Sequence, residues 1–375
     1  MKRILCLTLT LGLLFAFTAG AKAEVLKIGS LSPLTGPYAA DGNDIANGVR
    51  AAIKVIKDEG GIEGYEDIVV LAQDSACDPR QAMAAANKLI NEGVPGVIGA
   101  YCSSATMPSS EALMEEDIIM ITPASTNEKI TERGLEYMFR MCGRDDDQSK
   151  AAVKFMTDHL DAKTIFIVDD KTTYSQGLAD NVRKLAEEAG LEVIAHDHVN
   201  QGDKDFSAVL TKIKRANPDV FYMSLQNSSS GALMLIQARR AGIEAAIVAQ
   251  DAVYHPQLIQ NAKEAADGVY LTFGFIDEEK PAFKKFKDAY AEFGEPGAYS
   301  GYSYDAAYIL LSAIKNAGTT DAAAVKAEIM KMDYEGATKH VKFMENGDSG
   351  SNYVIRVIKD GEYVNYWDPN TGELY

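Results

Sequence analysis

Residues 97–126 read VIGAYCSSATMPSSEALMEEDIIMITPAST. Two apolar runs, 97–100 and 118–122, each give way to small hydroxyl residues, and the segment between them opens CSSAT and then takes on helical spacing. Short apolar runs closed by small polar residues predict buried parallel strands. In an open parallel sheet, small molecules bind just beyond the carboxyl ends of the strands. Ser103 and Ser104 stand there after one run, Ser125 and Thr126 after the other. Hydroxyls and free backbone N–H groups at a helix N-terminus form an anion site without a cationic side chain, so a small carboxylate is the expected guest.

Working outward, the chain alternates. Strands are predicted at 25–31 and 68–72, with helices at 44–57 and 79–92; Tyr38 and Asp41 fall in the loop after the first strand. This order calls for an α/β fold with doubly wound parallel sheets. After Arg140 the run MCGRDDDQSKAA interrupts the pattern, and Asp145 to Asp147 suit the first turn of a helix reaching about residue 160 as capping carboxylates rather than metal ligands. A second unit then repeats the architecture: strands at 165–168, 192–195, 220–224, 246–249 and 268–275, helices at 177–189, 208–216 and 231–241. Tyr174, Gln226, Gln250 and Asp251 lie just past strand ends of this half. Helices follow at 281–293, 304–316 and 322–332. The last strands, 340–343 and 353–358 with a hairpin tail, have no helices of their own and fit as additions to sheets already built.

The first residues, MKRILCLTLTLGLLFAFTAGAKAE, combine a basic start, an apolar core and an Ala-Lys-Ala cleavage pattern, which is a secretory signal peptide cut after Ala23. Cys6 lies inside it without a lipoprotein pattern, so no lipid anchor is expected, and no other apolar run is long enough for a membrane span. Loss of Lys2, Arg3 and Lys22 takes the formal charge from −17 to −20, which argues against nucleic acid and anionic membrane surfaces as partners. Of the remaining cysteines, Cys77 and Cys102 follow the strands at 68–72 and 97–100. If those strands are neighbours, both thiols emerge at one sheet edge, which pairs Cys77 with Cys102 in the oxidising compartment and leaves Cys142 buried and free. A catalytic thiol is the alternative, but neither cysteine has a histidine at a recognisable spacing.

With these residues laid out, the chain resembles the periplasmic branched-chain amino acid binding proteins, the leucine/isoleucine/valine type of ABC transporter substrate-binding protein. IGSLSPLTGPYA near the start, GGI at 60–62, DSACDPRQAMAAANKLI at 74–90, VIGAYCSSAT at 97–106, IMITPAST at 119–126, DDKTTYSQGLA at 169–179 and IQARRAG at 236–242 carry the resemblance, in order along the whole mature chain. It implies two doubly wound lobes joined by three crossovers, near Gly143, Phe273 and Gly350, with lobe 1 formed by 24–143 plus 274–350 and lobe 2 by 144–273 plus 351–375. Ser103 and Thr126 look like the residues that take a ligand α-carboxylate, the Ala124 carbonyl like an acceptor for the α-ammonium, and Asp251 like that ammonium's acidic partner, one methylene shorter than the family's usual Glu. Tyr174 resembles the aromatic wall of the second lobe, and Tyr101 and Tyr299 fall where the family lines its side-chain pocket. The family's disulfide joins the positions of Cys77 and Cys102.

Two departures bear on specificity. Asp41 stands where the family has an aromatic, and Gln226 where it has a Tyr. If Asp41 faces the pocket, the ligand side chain is polar or cationic; if it turns outward, the pocket is merely larger. The resemblance implies a monomer that captures an amino acid by closure and delivers it to a membrane ABC permease, with no cofactor and no metal. One rival is a two-lobed sensor or carrier for an amide or small organic acid, which would leave Asp251 unpaired. An exported enzyme is the other: GxSxG, phosphate-loop and HExxH patterns are all missing from the sequence. Among the five histidines only His196 and His198 are close, sharing one face of a strand, and without a third clustered ligand they read as a strand edge rather than a zinc site.

Overall fold

A computed structural model describes residues 24–375, so the signal-peptide reading of 1–23 lies outside the described residues. The first sheet is wholly parallel, with strands β1 (Glu24–Ser32), β2 (Tyr65–Asp74), β3 (Gly96–Gly99), β4 (Ile119–Thr122) and β5 (Met138–Arg140) in the order β2-β1-β3-β4-β5. Helices α1 (Ala39–Asp58), α2 (Pro79–Asn91), α3 (Ser103–Met114) and the single turn α4 (Lys129–Glu132) connect them. Gly99 follows from sterics: its φ is +149°, and a Cβ there would stand 2.1 Å from the Leu31 carbonyl oxygen.

The chain then enters the second sheet through α5 (Asp145–Asp158). It continues as β6 (Thr164–Asp169), α6 (Thr173–Glu188), β7 (Glu192–His198), α7 (Ser207–Ala216), β8 (Val220–Ser224), α8 (Ser228–Ala241), β9 (Ala246–Ala249), α9 (Pro256–Ala262) and β10 (Tyr270–Gly274). It recrosses to cover the first sheet with α10 (Pro281–Tyr290), α11 (Ser300–Ala317) and α12 (Ala322–Lys331), followed by a small ribbon of β11 (Tyr334–Glu335) and β12 (His340–Val341). A third crossing returns it as β13 (Tyr353–Lys359) and β14 (Glu362–Trp367). These two strands run antiparallel, giving the order β14-β13-β10-β9-β8-β6-β7, so the second sheet is mixed rather than wholly parallel. The tight hairpin makes β14 antiparallel to β13, while β13 itself runs antiparallel to β10 after the long return through α10, α11 and α12. No helix among the described residues is long and apolar enough to cross a membrane.

Each sheet buries both faces. Leu31, Ile45, Val49, Val97, Ile121 and Leu310 are fully buried in the first core, which also takes in α11. Helix α11 lies so close on α1 that a Cβ at Gly48 would sit 2.0 Å from Ser303 Oγ. In the second sheet, Phe166, Phe221 and Leu235 fill one layer, and Ile165, Ile167 and Tyr222 the other.

Several helices start earlier than their apolar spacing predicts. Helix α1 begins at Ala39, which moves Asp41 from the expected loop into a first helical turn. Helix α6 begins at Thr173, with Thr172 capping the backbone N–H of Ser175 at 3.1 Å, so Tyr174 is also helical rather than in a loop. Helix α8 begins at Ser228 behind an Asn227 cap, and α11 at Ser300. The opening turns of α6, α8 and α11 are polar and that of α1 is Ala-Ala-Asp-Gly, so periodicity of large apolar residues registers only after them.

The segments passing between the sheets are laced together at one place. Ser349 Oγ donates to the carbonyls of Arg140 (2.8 Å) and Met141 (3.1 Å), and Phe275 and Asn352 bond through backbone and side chain at 2.9 and 2.7 Å. Beside them the fully buried Arg140 donates Nε to Asp348 Oδ1 at 2.7 Å, and the other oxygen of that carboxylate takes Thr131, Arg144 and Asn346. Removing one partner of a buried pair strands the other charge. Asp348→Ala is therefore expected to lower stability by about 3–5 kcal/mol in urea unfolding; a loss below about 1 kcal/mol would show that Arg140 holds this region without it.

Candidate functional site

The carboxyl ends of β3 and β4 meet at two loops. A disulfide joins Cys77, after β2, to Cys102, which immediately precedes α3, while Cys142 is free and buried. Ser103 opens α3 and is buried, its Oγ 3.5 Å from the backbone N of Asn127. The loop 124–127 is held from behind by Arg140, whose Nη1 donates to the carbonyls of Thr126 (3.0 Å) and Asn127 (2.7 Å) and reaches that of Ser125 at 3.4 Å. In a trans peptide C=O and N–H point opposite ways. Turning these carbonyls to the guanidinium therefore turns the N–H groups of Thr126 and Asn127 toward the N-terminus of α3. Ser125 plays a different part from its neighbours: its hydroxyl is spent inside the loop on Thr106 and the carbonyls of residues 100 and 101.

From the second sheet comes Asp251, buried at the end of β9, with Oδ1 accepting from Tyr174 Oη at 2.5 Å. Burial pushes its carboxyl above the usual range, against hydrogen bonding led by Tyr174. Asp145, in the first turn of α5, is fully buried beside Thr126 and Asp251, and neither of its oxygens has a partner among the described residues. Burial, reinforced by Asp251 and only partly offset by the nearby Thr126 hydroxyl, which does not reach hydrogen-bond geometry, holds Asp145 well above the ordinary carboxylate range. The expectation that it caps its helix is corrected here: no side-chain cap bond is made at this N-terminus, and Gln148, buried nearly one turn on in the same helix, went unnoticed in the sequence. The run DDDQ gave no signal, because first-turn carboxylates ordinarily face solvent. The hydroxyls of Tyr101, Thr126, Tyr222 and Tyr353 and the carboxamide of Gln148 likewise have no partner among the described residues. They surround the same pair of carboxylates: burial, then Asp251 and Asp145, push Tyr174 and Tyr222 well above the normal phenol range, and Tyr353 feels both acids as well.

Tyr101 extends this group toward α1. Its ring stands 5.6 Å from Tyr299 and 6.0 Å from Tyr38, and its hydroxyl lies in the field of Asp41 and, more weakly, Asp251. Asp41 is itself buried, and burial together with Asp44 pushes it up to about 7. Gln226 is apart from this row, at the mouth of a cleft of about 560 Å³ between residues 37–38, 76–79 and 104 on one side and 170–173, 200–201 and 226 on the other. Its backbone N–H donates to Asp170. Across the mouth Tyr38 and Gln201 bond side chain to side chain, and Asn227 Nδ2 reaches the Pro37 carbonyl at 3.0 Å. Ala124 is buried in the Arg140-backed loop.

A sequence profile described as Periplasmic binding protein matches residues 25–362. The chain belongs to this family. The binding protein is 37% identical over 350 residues to the Leu/Ile/Val-binding protein homolog 1 of Brucella abortus, covering 93% of this chain and 94% of that one. It is 35% identical over 328 residues, 87% of each chain, to the leucine-, isoleucine-, valine-, threonine- and alanine-binding protein of Pseudomonas aeruginosa. Its fold matches the crystal structure of a leucine binding protein from Thermotoga maritima with a TM-score of 0.85 at 30% identity, over 92% of this chain and 99% of that one. The architecture is that of a type I periplasmic binding protein.

The orphaned Asp145 gives a test of these electrostatics. Its folded-state pKa is raised, so the native state binds more protons than the unfolded chain between the two values, and stability falls as pH climbs through that window. Asp145→Asn is expected to stabilise the binding protein by about 1–3 kcal/mol at pH 8 and by less at pH 4, where the native carboxyl is protonated and the unfolded one about half so. Destabilisation at pH 8 that fades toward pH 4 in urea titrations would mean that the carboxylate is ionised and paired.

Proposed function

We propose that this chain is the exported substrate-binding component of an ABC importer and captures a free amino acid between two lobes, 24–143 plus 274–350 and 144–273 plus 351–375. The observation that supports it is the convergence, from both sheets, of buried polar atoms lacking protein partners around Asp251 and Thr126. Buried polar groups are normally satisfied, and a zwitterion bound here takes up the Thr126 hydroxyl among them. Its carboxylate takes the Ser103 hydroxyl and the N–H and hydroxyl of Thr126; its ammonium takes Asp251 and the Ala124 carbonyl; Tyr174 closes the open side. Relatives named for leucine, isoleucine and valine support an amino acid as cargo. Contacts to both lobes favour the closed state, which then docks on the permease. The protein acts without catalysis, as a monomer, in the periplasm after cleavage near Ala23.

Asp41 supports a polar or cationic ligand side chain. Where the family carries an aromatic wall, the far end of the row Tyr299, Tyr101, Tyr38 here meets a buried carboxylate. That carboxylate pairs with a cation only when ionised, and burial places its pKa at about 7.

A calorimetric screen of amino acids on the mature protein tests the reading. Ser103→Ala and Asp251→Ala are each expected to weaken binding by about 1–3 kcal/mol, the loss of a charged hydrogen bond; unchanged affinity in both removes the site assignment. Affinity for lysine or arginine is expected to rise about five- to tenfold from pH 6 to pH 8 as Asp41 ionises, with leucine unaffected and Asp41→Asn abolishing the rise. A flat profile for every cationic amino acid rejects the role of Asp41.

A further inference from the structure

His196 and His198 lie two residues apart on β7, which is an edge strand of the second sheet. The register pairs Asp169 of β6 with His198, so all three side chains project from one face. This carboxylate is the third clustered residue missing from the sequence reading, 27 positions away from His196 in the chain. His196 Nε2 stands 2.6 Å and His198 Nδ1 2.7 Å from a single oxygen, Asp169 Oδ2. The three donor atoms lie within 4.8 Å of one another. The other carboxylate oxygen, Oδ1, is occupied by the backbone N–H of Lys171 at 2.7 Å, which fixes the carboxylate's orientation. Asp169 is fully buried, His196 nearly so, and His198 is 37% exposed, which gives the cluster a path to solvent.

From this geometry we propose that Asp169, His196 and His198 form a binding site for a first-row divalent cation of the zinc class, outside the amino acid cleft and independent of it. Two imidazoles and one carboxylate are the donor set that such borderline cations prefer, with the fourth position left to water. Around a tetrahedral ion with bonds of about 2.0–2.1 Å the donor atoms stand roughly 3.3 Å apart, so the imidazoles withdraw from Asp169 by a fraction of an ångström. Each ring must present a lone pair where it now presents a proton, and each has a second nitrogen to carry that proton. For His196 the second nitrogen, Nδ1, already faces Asp180 Oδ1 at 3.7 Å. Asp180 thus stands in the outer sphere, where a carboxylate orients a ligating imidazole. His340 provides the contrast. It too has two acidic neighbours, but Glu335 approaches one ring nitrogen and Asp333 the other, so no single ion is shared by the three. A bound ion cross-links β6 to the otherwise one-sided β7, immediately before the turn 170–173 that forms one lip of the cleft.

The test titrates zinc chloride into chelator-treated mature protein by calorimetry and repeats the titration with cobalt chloride, whose visible spectrum reports imidazole ligation. The expected result is one ion per chain, a rise in melting temperature with zinc, a loss of affinity of at least a hundredfold in His198→Gln and in the double variant His196→Gln/His198→Gln, and a smaller loss, about tenfold, in Asp180→Asn. His340→Gln is the control and is expected to bind as the parent does. Amino acid binding by the double variant, measured in parallel, reports that it is folded. The proposal is overturned if the parent shows no saturable zinc binding at micromolar concentration, if the folded double variant binds zinc as tightly as the parent, or if His340→Gln removes the binding.

Discussion

The buried guanidinium of Arg140 is the constraint on which the rest of the molecule depends. It sits at the end of the last strand of the first sheet, where five donors in a fixed plane must all be satisfied away from water. Asp348 and Thr131 take part of that demand, and the carbonyls of 125–127 take the remainder. The arrangement does two things at once. It binds the loop after β4 to the strand beside the chain's first crossing, and it turns one side of that loop's peptide dipoles inward so that the other side faces α3. Because Asp348 belongs to the segment just before the third crossing, the same side chain that shapes the candidate site also joins two of the three connections between the sheets.

Much of the fold was legible because strand and helix alternate through both halves, and short buried parallel strands leave a recognisable apolar signature. The weak point was helix beginnings. Asp41, Tyr174 and Ser300 all belong to first turns, and first turns at the lip of a cleft are polar because they face it. Periodicity, which reads burial, is silent there. The mixed character of the second sheet was only partly legible: the terminal strands announced themselves as additions, but not their direction.

The candidate site was legible to the extent that it lies at strand ends. Ser103, Thr126 and Asp251 could be picked out by that rule together with resemblance. Asp145 could not, since nothing in a run of three aspartates tells the buried one from the two half-exposed ones that pair with Arg144 and Lys150. Only the packing of α5 against both loops makes the difference. Asp169 escaped for another reason. Its relation to His196 and His198 is a matter of strand register across a crossover helix, which residue spacing does not encode.

The return of α11 onto α1 bears on how the chain reaches its folded state. The face of α1 that meets Ser303 across Gly48 belongs to a segment made early, and its cover to one made more than 250 residues later. Contacts of such long sequence separation form slowly, since the intervening loop must close before any burial rewards it. The first sheet therefore lacks its cover until α11 is made, and the second lacks β13 and β14 until the last residues of the chain. Because both sheets draw on late segments, neither half of the gene encodes a separable module.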